Sequence, residues 1–190
     1  MSEIYTSFAE VTRAYNKVRG ELNRMGVLWR DSRLDQVPCL YVTIPLEAFV
    51  KGWMGYWDPD EKVINFPSVY LPIPYLRGLK DSADIVLRHE FGHALADLYP
   101  EALAKGRLFV SAFGGAYSDK PAKGTDPTDW RGRCVSKYAA TATREDFAET
   151  FMLFVKHKGK IPAKFAKMPP VRKKWKAVAE IVKRVAAATR

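Results

Sequence analysis

The sequence predicts an α+β fold: a small, mostly antiparallel sheet beside a helix carrying His89-Glu90-Phe91-Gly92-His93, then a helical C-terminal part. Three observations predict it. Apolar residues recur at helical spacing near the start, around the pentad and in the last fifty residues. Short β-type runs, bounded by Pro and Asp, sit between the first two helices. The 190 residues, 47% of them hydrophobic, suffice for one domain with a real core.

Ile4, Phe8, Val11, Tyr15, Val18, Leu22 and Met25 recur at alternating four- and three-residue steps, an amphipathic helix that Gly26 closes. Val37 to Ile44 reads as a strand, with Pro38 near its start and Pro45 after it. Trp53 to Trp57 and Lys62 to Phe66 flank Asp58-Pro59-Asp60-Glu61 and predict a β-hairpin. Trp53, Tyr56 and Trp57 are candidates for lining a cleft or for plain packing. Pro67, Pro72 and Pro74 separate the hairpin from the pentad helix, for which Asp81 and Ser82 are N-cap candidates. Residues 105–130, rich in Gly, Pro, Ser and Asp, read as a loop bordering the cleft. Its glycines match no phosphate-binding fingerprint. Thr143 is an N-cap candidate for a helix with Phe147, Phe151, Phe154 and Val155 on one face. Beyond Pro162, Pro169 and Pro170, Val171, Trp175, Val178, Val182 and Val185 share a face of a last helix over 171–188.

The pentad is the part with chemistry. His89 and His93 lie one turn apart on one helix face, a spacing that lets both imidazoles reach one zinc ion. Glu90 is next to the first of them, where it can act as general base. Two histidines do not complete a catalytic zinc site, which takes three protein ligands. Asp97 continues the four-residue series, but it sits about 12 Å along the axis from His89. It reads as an acceptor behind His93 or as a surface acid at the helix end. His157, between Lys156 and Lys158, stands in a cationic setting that disfavours a metal. Cys39 and Cys134 are far apart in sequence and form no metal-binding pair. Glu145 and Glu149 share a helix face, so one could ligate while the other holds a ligand in place; ordinary surface acids are an equal reading.

The pentad, followed by Ser136-x-Tyr138-Ala139 and by Glu145-Asp146-Phe147-Ala148-Glu149-Thr150-Phe151, resembles zinc metallopeptidases of the gluzincin type. Nearest in likeness are the catalytic domain of anthrax lethal factor and a set of bacterial zinc-binding metallopeptidases. The likeness covers about residues 85–99 and 134–155. It implies a zincin-like domain in which Glu145 is the third zinc ligand, Tyr138 the catalytic tyrosine and Glu149 the acid supporting the ligands. The seven-residue step from Tyr138 to Glu145 matches that pattern. The spacer between the motifs differs in length from lethal factor, so the cleft rim should differ. The activity implied is zinc-dependent hydrolysis of peptide bonds in a protein or peptide substrate, of endopeptidase type.

Charge divides the chain at residue 156. Residues 156–190 hold 12 Lys or Arg against Glu180 alone, a net of +11, leaving −1 for residues 1–155 out of the total +10. The expected organisation is a metallopeptidase domain over 1–155 and a basic helical extension over 156–190, packed on the same domain. The extension reads as a solvated face of a docked helix, or as a contact for nucleic acid, anionic lipid or an acidic partner. A binding protein that grips nucleic acid through this tail is therefore the alternative function. No stretch approaches the length of a transmembrane span, and the N-terminal residues lack a basic segment followed by an apolar run. The expected location is cytoplasmic, with leaderless export as the other route.

Overall fold

The computed structural model describes residues 4–5, 8–42, 55–67, 70–71, 83–122, 126 and 128–189. Ile44, Trp53, Pro72, Pro74 and the cap candidates Asp81 and Ser82 lie outside them. Seven α-helices, a three-stranded sheet and a separate two-stranded pair make up the described architecture.

Helix α1 (Phe8–Arg24) buries Val11, Val18 and Leu22. Gly26 ends it at φ 76°, a left-handed conformation that costs glycine nothing. Ile4 belongs to strand β1 (Ile4–Tyr5) rather than to the helix. Strands β2 (Cys39–Val42), β3 (Tyr56–Asp58) and β4 (Val63–Pro67) form a sheet in the order β2-β4-β3. The β3–β4 hairpin is antiparallel, with Trp57 opposite Ile64. Asp58 Oδ1 accepts from the N–H groups of Asp60 and Glu61, each at 3.0 Å, and so closes the turn. Strand β2 runs parallel to β4, with Cys39 opposite Ile64. β5 (Tyr70–Leu71) pairs antiparallel with β1. The three-stranded sheet is thus mixed. Parallel pairing needs a crossover connection, which periodicity within one strand does not announce.

Helix α2 (Ala83–Leu98) is the centre of the fold. Every residue from Val86 to Ala96 is buried, as expected of a helix enclosed on all sides. Helix α1, the sheet and helix α5 (Thr143–Lys156) enclose it. Arg88, buried on α2, donates to both Glu21 carboxylate oxygens (2.7 and 2.9 Å) and pairs with Asp84 at 2.8 Å, fixing α2 against α1. Gly92 decides how near α5 comes. A Cβ there would stand 3.1 Å from Ala148 Cα and 3.2 Å from the Phe151 ring.

Helices α3 (Pro100–Ala104) and α4 (Leu108–Phe113) follow, so part of the expected 105–130 loop is helical. The reason is apolar burial. Phe109 and Phe113 stack at 4.6 Å and meet Phe147 at 5.7 and 5.8 Å, which outweighs the loop-like composition around them. Beyond α6 (Ala163–Ala166), helix α7 (Pro169–Ala188) begins two residues before the expected start. Its first positions are prolines, where no N–H is needed. Trp175, Val178, Ile181 and Val185 join the same apolar cluster as Val18 and Phe91. Trp175 Nε1 also donates to the Gly159 carbonyl at 2.9 Å. No helix of the described residues is long and apolar enough to cross a membrane.

Candidate metal centre

Helices α2 and α5 face each other across Gly92, and their polar side chains meet at one point. His89 Nε2 lies 3.1 Å from His93 Nε2 and 3.1 Å from Glu145 Oε2; His93 Nε2 lies 3.3 Å from the same oxygen. These three residues are buried and, among the described residues, are the group of His, Cys, Asp or Glu placed to hold a metal.

The outer atoms of each of these residues are also held. His89 Nδ1 meets Glu149 Oε1 at 2.9 Å, and Glu149 Oε2 accepts from Ser136 Oγ at 2.7 Å. His93 Nδ1 meets Tyr117 Oη at 2.8 Å. Glu145 Oε1 accepts from Arg144 Nε at 3.0 Å, and Arg144 in turn pairs with Asp119 at 2.6 Å. When each histidine donates from Nδ1, both Nε2 lone pairs and a carboxylate oxygen converge on one point with no hydrogen between them. Three acceptors so placed repel unless a metal ion or a proton lies among them. A tetrahedral zinc with ligands at about 2.0–2.1 Å sets its ligand atoms roughly 3.3–3.4 Å apart, close to the triangle seen. The donor set of two imidazoles and one carboxylate therefore fits zinc.

The electrostatics point the same way. Burial opposes protonation of His89, yet the carboxylates of Glu145, Glu149 and Glu90 outweigh it and hold its pKa at about 10. Burial raises the Glu145 carboxyl, but the two imidazoles beside it more than offset that and hold the group well below the usual range. The pocket is built for positive charge.

Glu90, buried beside His89, accepts from the Trp57 N–H of strand β3 through Oε2 at 2.8 Å. The sheet thus orients this carboxylate. Tyr138, in a short 3₁₀ turn over Tyr138–Ala140, is the exposed member of the group at 54%, its ring 5.8 Å from that of His89. Local desolvation and then the negative charge of Glu145 raise its pKa above that of an ordinary tyrosine, so it stays a phenol with a proton to donate.

Asp97 does not stand behind His93; it is an exposed acid at the helix end, the other of the two readings. The partner on His93 Nδ1 is Tyr117, and Asp97 accepts from the Trp57 indole N–H at 2.9 Å. At the C-terminal end of α2 it turns toward β3. His157 caps the end of α5 and is exposed, and both cysteines are free thiols. Thr143 begins α5, whose N-cap position is Ala142. The Thr143 hydroxyl instead accepts from the Ser118 N–H at 3.1 Å, and it donates to the Ala116 carbonyl. That anchor places Tyr117 over His93. Sequence reasoning did not find Tyr117, Ser136, Arg144 or the Trp57 N–H. Ser136 had a signal, standing two residues before Tyr138 in the second motif; Trp57 and Tyr117 had a coarser one, as a cleft-lining candidate and as part of the loop bordering the cleft.

Residues 86–177 match the model of a family described as "Putative zinc-binding metallo-peptidase". The match spans both motifs and supports a zinc metallopeptidase. No curated protein and no solved structure matches the chain.

Proposed function

We propose that the protein is a zinc endopeptidase of gluzincin type, with His89, His93 and Glu145 as the metal ligands. The observation that carries this is the triangle of ligand atoms at 3.1–3.3 Å with the Glu90 carboxylate next to it. Bound zinc would polarise the scissile carbonyl and make a water nucleophilic near neutral pH. Glu90 takes the proton of the attacking water and passes it to the leaving amine. The Trp57 N–H holds Glu90 Oε2, which fixes the carboxylate for that transfer. Tyr138, protonated and at the exposed edge, donates its O–H to the oxyanion as the carbonyl becomes tetrahedral. Glu149, backed by Ser136, sets the His89 ring; Tyr117 sets the His93 ring; Arg144 turns Glu145 so that Oε2 faces inward.

The test is Glu90→Gln. It removes the base and leaves the three ligands, so zinc content should stay at the wild-type level while cleavage of a quenched-fluorescence peptide library is lost. Unchanged cleavage would remove Glu90 from the mechanism.

A further inference from the structure

Residues 156–184 carry exposed charge that hydrolysis does not use. Lys156, Lys158, Lys160, Lys164, Lys167, Arg172, Lys173, Lys176 and Lys183 are all exposed. None of them makes an ion pair with an acid among the described residues. The one acid in this span, Glu180, is taken by Arg184 at 3.0 Å.

On α7 these cations form a stripe. At about 100° per residue, Arg172, Lys173, Lys176 and Lys183 fall within roughly 100° of arc, opposite the buried Val178, Ile181 and Val185. Arg172 and Lys183 are about 16 Å apart along the axis. The helix is docked by its apolar face, so the stripe is held in place rather than carried on a loose arm. His157, exposed beside Lys156 and Lys164, has its pKa lowered by slight desolvation and then by Lys156, Lys164 and Arg88, the mark of a locally positive field.

We infer that this face binds the phosphodiester backbone of nucleic acid, without sequence preference. Charge complementarity argues for a polyanion. The apolar inventory argues against a bilayer. Among the described residues the exposed large hydrophobic side chains are Phe8, Trp29, Leu40, Val110 and Tyr138, and none lies in 156–189. A helix that enters a membrane surface needs such residues on its outer face. Lysine makes up eight of the nine exposed cations, and a lysine acts as a point charge on a phosphate rather than as a bidentate reader of a base edge. The inference is independent of the peptidase reading.

The experiment is fluorescence anisotropy of the full-length protein with labelled duplex DNA over 50–200 mM salt. Log affinity should fall linearly with log salt. The variant Lys173→Gln, Lys176→Gln, Lys183→Gln should flatten that slope by about 2.7, since each phosphate contact contributes about 0.9. At 200 mM salt the difference between the two proteins should therefore be about 40-fold smaller than at 50 mM. Its melting temperature and zinc content should match the wild type, because all three side chains point away from the core. A control variant, Arg24→Gln, Arg30→Gln, Lys62→Gln, removes the same charge elsewhere and should leave the slope unchanged. An equal effect from the control would overturn the inference, since net charge rather than this face would then bind. Binding to phosphatidylserine vesicles or polyglutamate without salt-dependent binding to DNA would overturn it in favour of a lipid or an acidic protein. No binding to any of the three would also overturn it.

Discussion

Lys174→Ala should destabilise the protein more than any exposed lysine change, and by an amount that depends on pH. Lys174 and Asp146 are both buried, at 6% and 4% exposure, and pair at 2.5 Å across the contact of α7 with α5. Lys174 Nζ also donates to the Arg133 carbonyl at 2.7 Å and approaches Cys134 Sγ at 3.4 Å. Asp146 has little else to hold it. Its Oδ1 has no partner among the described residues, and the Cys134 thiol stands 3.8 Å from Oδ2. Removing one member of such a pair strands the other charge, at a cost of about 3–5 kcal/mol. For a chain of this size each kcal/mol moves the melting temperature by roughly 2–4 °C, so a fall of roughly 6–20 °C is expected. Burial pushes the Asp146 carboxyl up to about 6, with Lys174 opposing that rise. Its folded value thus lies above the unfolded value of about 3.9. The contribution of Asp146 is therefore fully present below about pH 3.9 and is lost as pH rises through about 6. Without Lys174 the carboxyl rises further, so the variant should lose more stability at pH 7.5 than at pH 5. Replacing both residues, Lys174→Met with Asp146→Leu, should restore most of the loss. Calorimetry at the two pH values reads all of this. A fall of less than about 2 °C at pH 7.5 would refute the reasoning.

Gly92→Ala puts a methyl group against Ala148 and Phe151, so it should cost about 1–3 kcal/mol in chemical denaturation and weaken zinc binding together. Tyr117→Phe deletes the hydroxyl on His93 Nδ1 and should lower zinc affinity about 10–100-fold, read by competition with a chromogenic chelator. Tyr138→Phe should lower kcat by ~10²–10³ with little change in KM; an unchanged kcat would make Tyr138 a packing residue. Cys39, whose thiol burial pushes up to about 11, should alkylate at pH 8 about a hundredfold more slowly than an ordinary cysteine and speed up as pH rises toward 11, followed by mass spectrometry.

The parts of the site legible in the sequence are those set by a single helix. The four-residue step from His89 to His93 puts two imidazoles on one face wherever the helix lies. The step from Glu145 to Glu149 does the same for the two carboxylates that meet His89. How near the two helices approach was not legible as a distance, although Gly92, which sets it, stood within the pentad. Tyr117 was out of reach for a different reason. Its place depends on a loop turned back by the Thr143 hydroxyl, and such a loop has no period to read. The same side chain explains the cap reading, because a threonine at a helix start has the right chemistry for a cap and here spends it on the loop. Asp97 was read along its own helix, whereas its partner, Trp57, comes from the sheet. The parallel pairing of β2 with β4 and the helix over Leu108–Phe113 are likewise tertiary outcomes. The C-terminal helix was legible because its apolar stripe is regular and its prolines mark the start.

The most direct test of the central claim is zinc stoichiometry in three proteins: wild type, Glu145→Ala and Glu149→Ala. Each is dialysed against buffered zinc and then measured by plasma mass spectrometry. The geometry predicts about one zinc per chain in the wild type. It predicts no bound zinc in Glu145→Ala, because Oε2 closes the triangle with both histidines. In Glu149→Ala the ion should remain, with affinity about 10–100-fold lower, because that residue meets the metal group at the outer nitrogen of His89 and not at the triangle itself. Full zinc in Glu145→Ala with none in Glu149→Ala would reverse the two roles, and a wild type without zinc would contradict the account as a whole.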